Sequence, residues 1–228
     1  MKQRISSLDL RLLARELKDQ LEGYRLSNIY NIADSNRQFL LKFGKPDSKL
    51  NVVIDCGLRV HLTEFSRPIP PSPSGFVVKL RKHLKAKRLT TIKQVDNDRI
   101  LVLSFSDGMY YLVLEFFSAG NVILLDSNRT ILALQRIVHE HENKVGQVYD
   151  MFDGTFLDET GTCFPDLEVH TEESVLEWLK VADEKARIDA ASVTAEGPKK
   201  QKKRGKIQSL HKLLFTRAPH LSSDLLSK

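Results

Sequence analysis

The sequence predicts an α+β fold: an antiparallel, β-sandwich-like domain with flanking helices, followed by a linker and the start of a helical module. Three observations lead there. Leucines recur at helical spacing near the N-terminus and again in a basic stretch after Ser74. Short apolar runs bounded by turn residues lie between those two stretches. Longer apolar runs then flank Asp107-Gly108 and Asp126-Ser-Asn-Arg129, the pattern of two hairpins. Strands that return through tight turns are antiparallel, and two helices beside several such strands give an α+β domain.

Residues 7–22 read as the first helix. Ser7 is placed to cap it, Leu10, Leu13, Leu17 and Leu21 share one side with Leu8 and Leu12 beside them, and Gly23 ends it. Asp9 falls in the first turn, where a carboxylate opposes the helix dipole and is worth about 0.3–1 kcal/mol. Ile29–Ile32, Gln38–Phe43, Asn51–Ile54 and Arg59–Thr63 follow as strands, separated by Asp34-Ser-Asn36 and Gly44-Lys-Pro-Asp-Ser48.

Pro68, Pro70, Pro71 and Pro73 stop any earlier helix, and Ser74 is placed to cap the next, a basic helix from Gly75 to Arg88. Phe76, Val77, Leu80 and Leu84 form its apolar face. Arg81, Lys85 and Arg88 run along one edge, and Lys79 and Lys82 cover the opposite side. Two readings of these cations stay open: a solvated face that keeps the protein soluble, or a contact with a polyanion.

Arg99–Phe105 and Met109–Phe117 form the first hairpin. With Asp107-Gly108 as its two loop residues, Arg99 lies opposite Phe116 and Asp98 opposite Phe117. Neighbouring side chains alternate faces, so Asp98 and Arg99 do not make a simple mutual ion pair. They are either a turn acid followed by a strand-end arginine, or an RNA contact. An arginine grips a phosphate or a guanine edge bidentately, and an aspartate accepts from a base amino group. Glu115 sits inside an apolar run, and burying it alone would be expensive. Arg81 or His83 of the basic helix is the expected partner. Asn121–Leu125 and Thr130–Arg136 make the second hairpin.

The α+β domain therefore spans residues 1–152. Residues 153–206 read as a loop, a short amphipathic helix over Glu172–Ile188 carrying Trp178, and a basic linker, Lys199–Lys206, for which a nuclear-localisation or RNA-tail role stays open. Residues 207–228, with Leu210–Phe215 and Pro219–Leu226, look like the truncated start of another helical module, too short to bury its own core.

Composition narrows the class. In 228 residues, 41% are hydrophobic, enough for a core, and the net charge of +6 leans weakly toward polyanionic partners. Cys56 and Cys163 make no disulfide framework, which makes a reducing compartment the default. No apolar run resembles a signal peptide or is long enough to span a bilayer, so a cytoplasmic protein without a membrane partner is expected. Phosphate-loop, nucleophile-elbow and zincin motifs are absent. His139-Glu-His-Glu142 puts two imidazoles on one strand face, but zinc needs further ligands, so neither metal nor cofactor is expected.

Several stretches taken in order carry a resemblance. Ser7-Leu-Asp-Leu10, Leu62-Thr-Glu64, the proline loop into Leu80-Arg-Lys-His-Leu84, Asp98-Arg99-Ile100 and Glu115-Phe-Phe-Ser-Ala-Gly-Asn-Val-Ile-Leu124 occur in that order in the NFACT family, also called fibronectin-binding-protein-A-like. Ile29-Tyr-Asn-Ile-Ala33 is most similar to the family's fungal ribosome-quality-control branch, whose members make C-terminal alanine-threonine tails. The resemblance covers residues 1–152, and Leu210–Leu226 resembles the start of the family's helix-hairpin-helix module.

What the resemblance implies is specific. Such a factor binds a large ribosomal subunit carrying stalled peptidyl-tRNA and steadies a Listerin-type ubiquitin ligase there. It recruits charged tRNA, alanine and threonine tRNAs, to extend the nascent chain without mRNA. The bond-forming centre is the ribosome's, so the protein is not itself an enzyme. The family's tRNA-handling residues map onto Asp9, Asp98 and Arg99. Lys79, Arg81, Lys82, Lys85 and Arg88 then become candidates for the RNA backbone. The family's N-terminal domain also looks related to the formamidopyrimidine-DNA glycosylase fold. Those enzymes attack with an N-terminal proline amine, whereas Lys2 follows Met1 here, which argues against glycosylase chemistry. The alternative is a protein-interaction adaptor that holds a partner through residues 153–188 without recognising tRNA.

Overall fold

Nine strands in chain order build two sequentially connected antiparallel sheets. The computed structural model describes residues 5–96, 98–137, 143–153 and 171–193. These fall in two units, with the boundary after Cys163. The first unit opens with α1 (Ser7–Leu21). A four-stranded sheet follows: β1 (Arg25–Asn31), β2 (Gln38–Lys45), β3 (Ser48–Asp55) and β4 (Arg59–Thr63). Then come α2 (Gly75–Leu84) and a five-stranded sheet: β5 (Leu89–Gln94), β6 (Ile100–Phe105), β7 (Tyr110–Glu115), β8 (Asn121–Asp126) and β9 (Ile131–Leu134). In the second unit the described element is α3 (Glu172–Val193), which runs five residues beyond the expected Ile188. His139–Glu142, Lys199–Lys206 and Leu210–Leu226 lie outside the described residues.

The cap of α1 is Ser6, not Ser7. The Ser6 hydroxyl accepts from the Asp9 amide at 3.1 Å, and the Asp9 carboxylate accepts from the Ser6 amide at 3.1 Å. This reciprocal pair needs an acid three residues after the cap, and only Ser6 has that spacing to Asp9. Ser7 becomes the first helical residue and is buried. Leu10, Ala14, Leu17 and Leu21 form the buried stripe, whereas Leu12 is 60% exposed. Gly23, at φ 82°, ends the helix and donates its amide to Leu89 of β5 at 2.8 Å.

Ser74 caps α2 as expected, accepting from the Val77 amide at 3.3 Å. The helix stops at Leu84 rather than Arg88. Ala86 turns to φ 66° and donates to the Leu26 carbonyl at 2.8 Å, and the Leu26 amide donates to Lys87 at 2.9 Å. Backbone pairing with the start of β1 thus replaces the last helical turn. Arg88 leaves the helix and meets Asp107 at 3.5 Å. Strand β5, Leu-Thr-Thr-Ile-Lys-Gln, is a strand the sequence reading left out, because only Leu89 and Ile92 are apolar in it.

The main core lies between the two sheets and helices α1 and α2. Phe39, Leu41, Phe43, Val52 and Ile54 meet Leu101, Leu103, Phe105, Leu112 and Leu114, and Phe43 stacks on Phe105 with ring centroids 6.5 Å apart. Each such side chain contributes about 1.5–3 kcal/mol on burial. The far face of the five-stranded sheet is also covered: Tyr149 and Phe152 lie on Val102, Val113, Ile123 and Leu125. This second layer explains why every residue of β6 is buried. Asp107 and Gly108 both take positive φ, as a tight Asp-Gly hairpin requires, and the Phe116 amide donates to the Arg99 carbonyl at 2.9 Å. The expected pairing of Arg99 with Phe116 is therefore present.

Cys56 follows β3 and is a free, buried thiol. Burial pushes its pKa up to about 11, against the opposing fields of Arg37 and Arg136. Its thiolate population near neutral pH is then roughly a hundredfold below that of an ordinary thiol. In the native protein Cys56 is expected to resist iodoacetamide at pH 8 and to react fully in urea, scored by peptide mass spectrometry. Because the folded state holds this proton more tightly, the associated stability is intact below pH 9 and is lost as pH rises toward 11. Rapid native alkylation would contradict the burial. Among the described residues, no helix is long and apolar enough to cross a membrane.

Candidate nucleic-acid interface

The site is assembled by Gln94, the last residue of β5. Its side chain is buried, and its Nε2 donates to the Asp98 carbonyl at 2.7 Å, the Ser7 carbonyl at 3.0 Å and the Ser7 hydroxyl at 3.1 Å. One amide, 87 residues from Ser7 in sequence, thus ties the first turn of α1 to the β5–β6 loop. Asp9, two residues beyond Ser7, is brought to the same end of the fold as Asp98 and Arg99. Nothing in the sequence marks Gln94 for this role; a glutamine closing a weakly apolar strand carries no periodic signal.

Each of the three charged residues is held by part of itself and leaves part open. Both contacts of the Asp9 carboxylate use Oδ2, on the Ser6 amide and on the Ser6 hydroxyl at 2.6 Å. The Asp98 Oδ1 accepts from the Arg99 amide at 2.7 Å, and its own amide donates to Val95 at 2.9 Å. Arg99 is half-buried and fixed through its backbone to Phe116. Among the described residues its guanidinium makes no hydrogen bond or ion pair. Asp98 is exposed. Oδ1 of Asp9, Oδ2 of Asp98 and the Arg99 fork remain for a ligand, on a backbone already fixed.

Beneath this loop lies a second polar pair. Glu115, directly opposite Ile100, is 6% exposed and accepts from the Tyr149 hydroxyl at 2.8 Å. Burial pushes the Tyr149 phenol far above its ordinary value. The Glu115 charge and hydrogen bond add to this, and the Asp98 and Asp150 charges push the same way. The expected partners of Glu115 are engaged elsewhere. The Arg81 Nε donates to the Ile29 carbonyl at 2.6 Å with its guanidinium 5.0 Å from the Tyr30 ring, and His83 meets the Tyr110 ring at 5.3 Å. The reason is sidedness. The apolar face of α2 joins the core between the sheets, while Glu115 lies on the far face of the five-stranded sheet with Ile100 and Tyr149.

The basic residues of the α2 region divide. Lys79, Lys82 and Lys85 are exposed. Arg81 is committed to Ile29 and Tyr30, and Arg88 to Asp107. The start of β5 lies by Gly23 and its end by Ser7, so Arg88 sits at the opposite end of α1 from Asp98. At 1.5 Å per residue, that is about 20 Å away. Among the described residues, no group of three or more His, Cys, Asp or Glu side chains could hold a metal.

Comparisons with known proteins agree with this architecture. Residues 6–189 match the family described as NFACT N-terminal and middle domains. Over 240 residues, covering all of this chain, the sequence is 66% identical to ribosome quality control complex subunit 2 of Saccharomyces cerevisiae. It is 39% identical over 138 residues, 60% of the chain, to ribosome quality control complex subunit NEMF of Homo sapiens. The chain spans only 23% and 13% of those two relatives. A solved structure of similar fold is the N-terminal domain of fibronectin-binding protein PavA from Streptococcus pneumoniae. It has a TM-score of 0.61 at 20% identity, covering 84% of this chain and 86% of that one. With a family match over most of its length and a relative this similar across all of it, the chain belongs to the NFACT family.

Proposed function

We propose that this chain is the tRNA-handling N-terminal region of a ribosome quality control factor. The observation that supports the reading is the Gln94 junction, which ties Ser7 in the first turn of α1 to the Asp98 carbonyl, at the end of the fold where Asp9, Asp98 and Arg99 each keep open charged atoms. An unpaired arginine on a fixed backbone, at the same end of the fold as two carboxylates, suits a folded RNA. The arginine takes a phosphate or guanine edge, and the carboxylates accept from base amino groups. Lys79, Lys82 and Lys85 add sequence-blind affinity to the backbone. Relatives named as ribosome quality control subunits support this assignment.

In the intact protein, the partners follow from the reading. They are the large ribosomal subunit with stalled peptidyl-tRNA, charged alanine and threonine tRNAs, and a Listerin-type ubiquitin ligase, all in the cytoplasm. The chain positions tRNA and the ribosome forms the peptide bond. In full-length protein, Asp98→Ala/Arg99→Ala is expected to abolish tail addition and to weaken tRNA binding at least tenfold. Its thermal midpoint should stay within about 2 °C of wild type, as for surface changes. Normal tailing by this variant would sink the site assignment. A protein-docking adaptor is the second reading, favoured by the exposed Leu176, Leu179 and Val181 of α3. It predicts partner binding that survives high salt and gains nothing from RNA.

A further inference from the structure

The end of the five-stranded sheet that carries Asp98 and Arg99 continues past β7 into a turn, Phe117–Gly120, closed by the Gly120 amide on the Phe117 carbonyl at 2.9 Å. Two arginines from different parts of the chain converge on this turn. Arg37, the last residue of the β1–β2 loop, donates its Nη2 to the Cys56 carbonyl at 2.9 Å and to the Ala119 carbonyl. Arg136, just beyond β9, points Nε and Nη2 at the Gly120 carbonyl at 3.4 and 3.3 Å. The backbones beside them are also joined, since the Gln135 side chain donates to the Asn36 carbonyl at 3.2 Å.

Carbonyls orient these two guanidiniums without neutralising them. Among the described residues neither forms an ion pair. The nearby acids are committed elsewhere: Asp55 to Gln38 and Arg59, and Glu115 to Tyr149. Arg37 is exposed and Arg136 half-buried, and the contacts of Arg37 all run through Nη2. Two uncompensated guanidiniums held on successive carbonyls, with Nε and Nη1 of Arg37 and Nη1 of Arg136 still open, are preorganised to donate to a phosphodiester. The turn directly follows Phe116, the strand-mate of Arg99. At about 4.8 Å per strand, Arg136 lies on the order of 14 Å along the same sheet end from Arg99.

We infer that Arg37 and Arg136 form a phosphate-binding fork that holds the backbone of the RNA whose bases face Asp98 and Arg99. The inference rests on the tRNA reading above and adds a separate contact to it. The test is a salt series of binding to a labelled alanine-tRNA transcript by the full-length protein. Wild type is compared with Arg37→Gln/Arg136→Gln, Arg37→Lys/Arg136→Lys and Asp98→Ala/Arg99→Ala, each checked for an unchanged melt. The glutamine pair is expected to bind on the order of tenfold more weakly, with the slope of log K against log salt reduced by about 1–2. The lysine pair keeps the charge and should keep most of the slope. A wild-type slope in the glutamine pair overturns the inference, and so does a lysine pair that falls with it, which would make the arginines carbonyl clamps only. A wild-type result for Asp98→Ala/Arg99→Ala alongside a lost slope in the glutamine pair would remove the base-reading role and leave the fork standing.

Discussion

Gly120→Ala is expected to lower the thermal midpoint by about 10 °C or more. The two sheets meet at Gly57 and Gly120, both at positive φ, 77° and 74°. A Cβ at Gly120 would stand 2.1 Å from the Gly57 Cα and 2.3 Å from its amide nitrogen. Those neighbours are backbone, so no rotamer change relieves the clash. The left-handed conformation adds strain for any L side chain. A buried steric conflict of this kind sits in the upper tail of single substitutions, about 4 kcal/mol, and a domain of this size loses about 2–4 °C per kcal/mol. Gly57→Ala meets the Ala119 carbonyl at 2.7 Å and should act in the same direction. A Gly120→Ala melt within 2 °C of wild type would show that the backbones do not approach so closely. The damage should also reach tRNA binding, because the same turn carries the carbonyls that orient Arg37 and Arg136 and follows the strand-mate of Arg99.

Glu115→Ala is the second large effect, expected at about 3 kcal/mol in urea denaturation. The substitution removes the acceptor of the fully buried Tyr149 hydroxyl and leaves a void on the far face of the sheet. An orphaned buried hydroxyl costs about 1–3 kcal/mol, and the cavity adds to it. Glu115→Gln keeps an acceptor oxygen and the shape, so it should cost about 1 kcal/mol, as for loss of the charge-assisted part of the bond. In a double-mutant cycle with Tyr149→Phe the two sites should couple by about 1 kcal/mol or more. Additivity would mean that the hydrogen bond contributes little and that packing alone holds Tyr149. Because Glu115 is paired with Ile100, the first residue of β6, loosening it should also raise hydrogen exchange at Arg99 and Ile100.

Much of the fold was legible because its signals are local. Asp107-Gly108 fixes a two-residue turn by dihedral preference alone, and that turn fixes the register that sets Arg99 against Phe116. Ser74 and the prolines before it mark the start of α2 for similarly local reasons. The misreadings occur where tertiary pairing overrides local preference. Leu84 to Arg88 has good helix formers, yet Ala86 and Lys87 give their backbone groups to Leu26. Strand β5 is too polar to announce itself, and is set by pairing with β6 and by α1 packing on it. The partner of Glu115 was misassigned because sequence proximity to a basic helix does not say which face of a sheet a side chain enters.

The sequence by itself determined the α+β class, the hairpin register, the start of α2 and, through an ordered set of short motifs, the family. These rest on periodicity, turn chemistry and word order, all of which survive without knowledge of distant contacts. Only the tertiary structure decided that Gln94 ties Ser7 to the Asp98 carbonyl, and that Arg37 and Arg136 reach the carbonyls of one turn. It also decided that Glu115 answers to Tyr149. Each of those meetings spans tens of residues and is made by one buried side chain, one turn carbonyl or one glycine crossing. A pairwise hydrogen bond of 2.7–3.4 Å depends on how the sheets and helices pack, and no local pattern encodes that distance.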